Sequence, residues 1–323
     1  MASFLRNLIS RLGPAKPPPA RRVLLAAFGK HPGWDDHVEI GLESERLAEV
    51  RRILYVEGVG GNVESGAWER LEPNQRLSQF KHTFVWRRPD GGVQLGRLWS
   101  SRDGKGRSRY PMVVCADCTG LPLQWTVEQV LPVLADVEAA CARTADAPVV
   151  SQVIAVGLKD LRNAVTLNGE LRPAVSNAIG ENAVSYLVGR PEIGADGKGL
   201  LAVLYQLVRD MAPDYQLDRP ALVAEALRHH SVHLRVPACA DSAADAALLW
   251  IRFLQTQLGP DAQVLTLQHE SASWLDLIAG PPVAAQFFCL LATPAALPLT
   301  TDIPYQLDGA FLERANRFLE AQK

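Results

Sequence analysis

Gly96-Arg97-Leu98-Trp99 runs into Ser100-Ser101-Arg102-Asp103-Gly104-Lys105-Gly106-Arg107-Ser108-Arg109-Tyr110-Pro111, and then into Met112-Val113-Val114-Cys115-Ala116. Apolar run, polar loop, apolar run reads as strand, loop, strand. Upstream, Phe80 to Arg87 alternates, Pro89-Asp90-Gly91-Gly92 turns, and Val93 to Trp99 returns. That is a hairpin signature, so three successive antiparallel strands are expected. Val23-Leu24-Leu25-Ala26-Ala27-Phe28 is a further strand-like run. Two helical patterns flank the meander. One covers Glu43 to Glu57, with Leu47, Val50, Ile53 and Leu54 on one side and Gly58, Gly60 and Gly61 breaking it. The other covers Val127 to Ala142, entered through Thr126 as N-cap. The fold class expected is α/β, an antiparallel sheet flanked by helices.

The loop holds four cations, Arg102, Lys105, Arg107 and Arg109, and one acid, Asp103. Cations this close maintain a positive local potential unless a carboxylate-rich or phosphate-bearing partner meets them. Asp103 can neutralise one of them, and beside two glycines it is placed to accept backbone amides and shape the loop. Two readings stay open at this point: a solvated hairpin loop, and a surface that faces a partner.

Bulk composition narrows the function classes. The chain has 323 residues, 48% of them apolar and 21% charged, with a formal net charge of -2. This is a globular composition, neither disordered nor membrane-spanning, and it excludes a globally basic nucleic-acid binder. Five cysteines form no even disulfide framework, so free thiols and a cytoplasmic home are expected. Cys115 and Cys118 make a single CxxC without the second pair that a four-thiolate zinc site needs. His31, Asp35, Asp36 and His37 offer imidazole and carboxylate groups, and a metal-dependent enzyme built on them is one alternative function; a structural scaffold protein with a solvated loop is the other. Adjacent residues diverge, however, so a polar turn with helix-capping acids is the preferred reading there. Gly58-Val59-Gly60-Gly61-Asn62 lacks both GxGxxG and a Lys-Ser/Thr ending. Ser65, Ser108 and Ser271 lie in no GxSxG elbow. No cofactor, metal or catalytic residue is assigned.

Four segments are expected. Residues 1–20 are a leader with Phe4, Leu5, Leu8, Ile9 and Leu12 at helical spacing, Arg6 and Arg11 between them, and a tether carrying Pro14, Pro17, Pro18 and Pro19. The leader is too short for stable membrane insertion; a partner, a membrane surface and the protein's own body all remain open as its contact. Residues 21–147 are the first α/β domain. Residues 148–230 are a mostly helical connection or insert, with helices at Leu200 to Met211 and Arg219 to His229 and either a strand or a buried helix start at Val149 to Val156. Residues 231–323 are a second α/β unit that repeats the order of the first. In it Val232 to Pro237 alternates as a strand, Ala243 to Leu258 is an apolar helix, Val264 to Leu267, Trp274 to Ile278 and Gln286 to Ala292 are short strands, and Phe311 to Ala321 closes as a helix. His229, His230 and His233 read as surface histidines, because a strand at His233 destroys any shared helix face.

Two of these stretches resemble a known family. Phe28-Gly29-Lys30-His31-Pro32-Gly33-Trp34-Asp35 is similar to the "GKxPxxGDF" opening of the TagF (ImpM) proteins of bacterial type VI secretion. Ser101 to Pro111 is similar to that family's second signature, "SxDxxGRxxP". Asp35 stands where the family has glycine and Asp36 where it has aspartate, and one extra residue separates Arg107 from Pro111. The resemblance covers roughly residues 24–142. It implies a longin- or profilin-like α/β/α sandwich and a non-enzymatic accessory protein that restrains assembly of the secretion machine after translation. The implied partner is a scaffold protein with a forkhead-associated (FHA) domain, with no nucleic acid involved. The residues that carry the resemblance, and hence the candidate partner-binding or motif residues, are Gly29, Lys30, Pro32, Asp35, Asp36, Arg102, Asp103, Gly106, Arg107, Arg109 and Pro111.

Overall fold

In the computed structural model, which describes residues 20–167, 182–194, 197–210 and 229–321, every residue from Val23 to Lys30 is buried. Successive side chains of strand β1 (Arg22–Lys30) point to opposite faces, and both faces are covered. Leu24, Ala26 and Phe28 enter one core while Val23, Leu25 and Ala27 enter the other. An antiparallel strand buried on both sides therefore reads as an apolar run and not as an alternation.

The chain continues through β2 (His37–Ile40) into a helical segment α1, which is α-helical over Glu45–Val50, π-helical over Arg51–Gly60 and α-helical again over Gly61–Ser65. Then come β3 (Lys81–Arg87), β4 (Val93–Trp99) and β5 (Met112–Thr119), the expected meander. Helices α2 (Leu123–Ala142), α3 (Ala147–Leu167), α4 (Ala183–Val188) and α5 (Lys198–Asp210) follow. The chain ends with β6 (Val232–Pro237), α6 (Ala243–Leu258), β7 (Val264–His269), β8 (Trp274–Ala279), a 3₁₀ turn at Ala284–Leu290 and α7 (Gly309–Ala321). The leader, residues 1–19, and the helix expected at Arg219 to His229 (described from residue 229) lie outside the described residues.

All eight strands form one sheet in the order β2-β1-β5-β4-β3-β7-β8-β6, with every neighbouring pair antiparallel. One core carries side chains of α2, α3, α5, α6 and α7; the other carries those of α1 and the 3₁₀ turn. The α/β expectation, an antiparallel sheet between helices, holds. The second α/β unit is not built on a sheet of its own. Strand β7 pairs with the free edge of β3, Val85 opposite Thr266, so residues 231–323 extend the first sheet. A buried strand edge must find hydrogen-bond partners, and β7 supplies them.

Several local expectations change. Gly58, Gly60 and Gly61 do not stop α1. The missing side chain of Gly58 admits the ring of Phe287, which would stand 2.6 Å from an added Cβ, and the helix ends instead at Gly66, with φ +65°. Thr126 is not the N-cap: α2 starts after Pro122, and Thr126 is buried in its first turns. Val149 to Val156 belongs to α3. Gln286 to Ala292 is no strand, because the carbonyls of Cys289 and Ala292 turn inward to Arg235. His37, read as part of a polar turn, opens the short edge strand β2.

Cys115 and Cys118 both lie on β5, three residues apart, so they project to opposite faces and sit in different cores. That geometry excludes both chelation and a disulfide between them. All five cysteines are free and buried. Burial raises their thiol pKa values, that of Cys141 to about 11 and that of Cys239 to about 12. Thiol titration is expected to find five groups in denaturant and almost none over the same time in native protein, since the thiolate is the reacting form. A Cys115–Cys118 disulfide in fresh protein would contradict this arrangement. No helix among the described residues is long and apolar enough to cross a membrane.

Candidate functional site

Gly29 lies opposite Met112 in the β1–β5 ladder, so the loop leaving β1 and the loop entering β5 emerge side by side at one end of the sheet. The two family-like stretches, 73 positions apart in sequence at Lys30 and Asp103, therefore meet. Gly29 is required at the join: its φ is +121° and an added Cβ would stand 2.3 Å from the Pro111 carbonyl oxygen. That same carbonyl accepts the Lys30 N–H at 3.1 Å.

At the centre is a buried ion pair. Lys30, 4% exposed, donates to Asp103, 1% exposed, at 2.9 Å. Every lone-pair direction of Asp103 has a use. One oxygen accepts the backbone N–H groups of Lys105 (3.0 Å) and Arg107 (2.9 Å); the other accepts Lys30 Nζ and Arg107 Nε (2.7 Å). Burial works against ionisation of this carboxyl, but the bonds from Lys30, the Arg107 amide and the Arg107 side chain outweigh it and hold the pKa well below the usual carboxylate range. The loop closes further through Asp103 N–H to the Arg107 carbonyl and Gly106 N–H to the Asp103 carbonyl, with Gly106 in the left-handed region at φ +82°.

The first loop is fastened to the second by the same groups. Lys30 also donates to Asp36 at 2.6 Å, and this bond lowers the Asp36 pKa to about 2. Arg107 Nη2 donates to the Asp35 carbonyl at 2.7 Å and lies 3.5 Å from the Asp36 carboxylate. Gly104 N–H donates to the Trp34 carbonyl at 2.7 Å. A side chain at Gly104 would come within 2.9 Å of the Asp35 carboxylate and 3.3 Å of the Pro32 carbonyl.

The loop cations are thus better neutralised than their own stretch of sequence implies. Arg109 binds Glu69 and the Val63 carbonyl, both at 2.9 Å, and Lys105 lies 3.9 Å from Asp35. Among the described residues, Arg102 is the loop cation left with no ion pair or hydrogen bond. It stands exposed beside Ser101, Ser108 and Thr144 on the rim of a shallow cleft.

The His31/Asp35/Asp36/His37 group does not converge on a common point. His31 Nδ1 accepts the Gly33 N–H at 3.1 Å, and Nε2 donates to the Cys141 carbonyl at 3.1 Å. With both nitrogens engaged, His31 ties the first loop to the end of α2 and has no lone pair for a metal. His37 turns the other way, 3.0 Å from Asp36. Burial and the charge of Lys30 lower its pKa. Its ring meets those of Tyr55 (5.7 Å) and Tyr110 (5.3 Å) edge-on, a cluster the sequence did not announce because Tyr55 comes from the π-helical part of α1. Among the described residues, three potential metal ligands come together at His233, Asp276 and Cys289. The site does not suit a metal: both oxygens of Asp276 already accept from the Arg235 guanidinium.

No protein-family model matches this chain, and no curated protein matches it. Among solved structures it is similar to PA0076 from Pseudomonas aeruginosa PAO1, at 16% identity and a TM-score of 0.33. That similarity spans 41% of this chain and 61% of that one.

Proposed function

We propose that this protein is a non-enzymatic accessory or regulatory protein of a type VI secretion system, as its resemblance to the TagF family implies, and that it acts in the cytoplasm through contact with an FHA-domain scaffold. The observation that supports this reading is the Lys30–Asp103 pair. The residues that carry the two halves of the resemblance are the residues that join two distant loops into one rigid unit. Gly29, Lys30, Asp36, Asp103, Gly106, Arg107 and Pro111 build the unit. Arg102, Lys105, Arg109 and Asp35 present its charged rim to solvent. A partner surface that recognises the rim gains from its rigidity, because little conformational entropy is lost on contact.

The test keeps the buried pair and inverts the rim. Arg102→Glu with Lys105→Glu is expected to weaken binding to the purified FHA-domain scaffold by about tenfold or more and to reverse its salt dependence, since rim charges steer association. The thermal midpoint should stay within about 2 °C, because exposed charges contribute ~0 to 1 kcal/mol each. Unchanged affinity would move the interface off this rim, and no binding by the unaltered protein would remove the FHA partner.

A further inference from the structure

The outer surfaces of α2 and α3 leave between them a groove of about 450 Å³, lined by Val133, Val137 and Ala140 from one helix and Val149, Val153 and Val156 from the other. Val149 and Val156 are 41% and 50% exposed, two of five large apolar side chains that stand out from the described surface. Asp136 and Asp160 lie on the walls, so the groove is apolar along its length and acidic at its sides.

We propose that this groove is the docking site of the chain's own leader, with Phe4, Leu5, Leu8, Ile9 and Leu12 against the valines and Arg6 and Arg11 toward Asp136 and Asp160. The leader has the complementary chemistry in the same proportions: an apolar stripe at helical spacing and basic residues, with no acid between Met1 and Gly13. The lengths also agree. Ala20 lies beside Thr119, the end of β5, just before the chain turns into α2. Val133 is ten residues into α2, roughly 15 Å along its axis, and the six residues from Pro14 to Pro19 in extended form span roughly 19 Å. From there a nine-residue helix, roughly 13 Å long, matches the stretch from Val133 to Ala140, roughly 10 Å. An isolated helix this short is marginal in water, so docking and helix formation are coupled and reversible. The leader then acts as a strap that covers an apolar face until something competes for either element.

The five native thiols are buried, so Val156→Cys in the full chain adds one accessible thiol inside the groove. If the strap is docked about nine-tenths of the time, maleimide labelling of that cysteine runs about tenfold slower than in the same chain carrying Leu5→Asp and Leu8→Asp. Arg6→Glu with Arg11→Glu should lose most of the protection, and adding Asp136→Lys with Asp160→Lys should restore it. A Leu8→Cys, Val153→Cys pair should cross-link within one chain, with a yield independent of protein concentration. Equal labelling rates with and without the leader substitutions would overturn the proposal, whether or not the leader then binds anionic vesicles. A cross-linked dimer whose yield grows with concentration would assign the groove to a second copy and overturn it equally.

Discussion

Arg235→Leu is expected to destabilise the protein by ~3–5 kcal/mol, the range seen when one partner of a buried ion pair is removed. Arg235 is 2% exposed on β6, and each of its five N–H donors has an acceptor. Nε and Nη2 grip the two oxygens of Asp276 at 2.8 and 2.9 Å. Nη1 reaches the carbonyls of Ala292 and Leu297, and Nη2 also reaches that of Cys289. One side chain therefore binds strand β8 and the segment following the 3₁₀ turn to the edge strand of the sheet. Leucine fills similar volume but leaves Asp276 charged in the interior with His233 as its remaining partner, and it takes a donor from three carbonyls, of which that of Cys289 keeps the Ala292 N–H. Burial opposes ionisation of Asp276, and the bonds from His233 and Arg235 outweigh it in the native protein. Without the guanidinium part of that support is lost while the bond from His233 stays, so the carboxyl should take up a proton more readily as pH falls. The measurement is urea unfolding at pH 7 and pH 5: the variant should recover part of its lost stability at the lower pH. Adding Asp276→Leu should restore part of that loss, because no carboxylate is then left buried without its guanidinium. A loss under ~1 kcal/mol for Arg235→Leu would show that water reaches the site.

Asp103→Asn separates the shape of the charged loop from its charge. The amide oxygen still accepts the Lys105 and Arg107 backbone N–H groups, but the NH₂ group now faces Lys30 Nζ and Arg107 Nε, donor against donor. Lys30 then sits 4% exposed with the exposed Asp36 as its remaining partner. The thermal midpoint is expected to fall by about 5–10 °C, and scaffold binding should fall with it because the two loops lose their common anchor. The pH dependence carries a further signature. Asp36 and Asp103 both have native pKa values below their unfolded ones, so the stability they lend is present above pH ~4 and is lost as pH falls through about 2 for Asp36 and lower still for Asp103. Asp103→Asn deletes its share, so its midpoint should decline less steeply between pH 4 and pH 2.5 than that of the unaltered protein. Parallel curves would show that Asp103 is not ionised in the native state. An unchanged midpoint at pH 7 would show that the buried pair is dispensable.

Periodicity and turn chemistry were enough to find the meander of β3, β4 and β5, the strand at Val23 to Phe28 and the helix at Ala243 to Leu258, because each depends on residues within a dozen positions of one another. The glycines and the acid of the 102–111 loop were likewise legible as the parts of a shaped turn. The neutralisation of that loop was not. Lys105 finds Asp35, Arg107 finds Asp36, Arg109 finds Glu69 and Asp103 finds Lys30, across 40 to 73 positions, and only the tertiary structure, the β1–β5 ladder above all, brings those segments together. The partners of Arg235 were hidden in the same way. The alternation of Val232 to Pro237 carries no sign that backbone carbonyls from residues 289–297 close over the arginine. The single sheet follows the same logic: β7 carries no local mark naming β3 as its neighbour, and their pairing is decided by which buried edge lacks hydrogen-bond partners once the helices are packed. Local pattern depends on the chemistry of adjacent residues, whereas strand order, charge pairing and burial depend on which distant surfaces are excluded from water together.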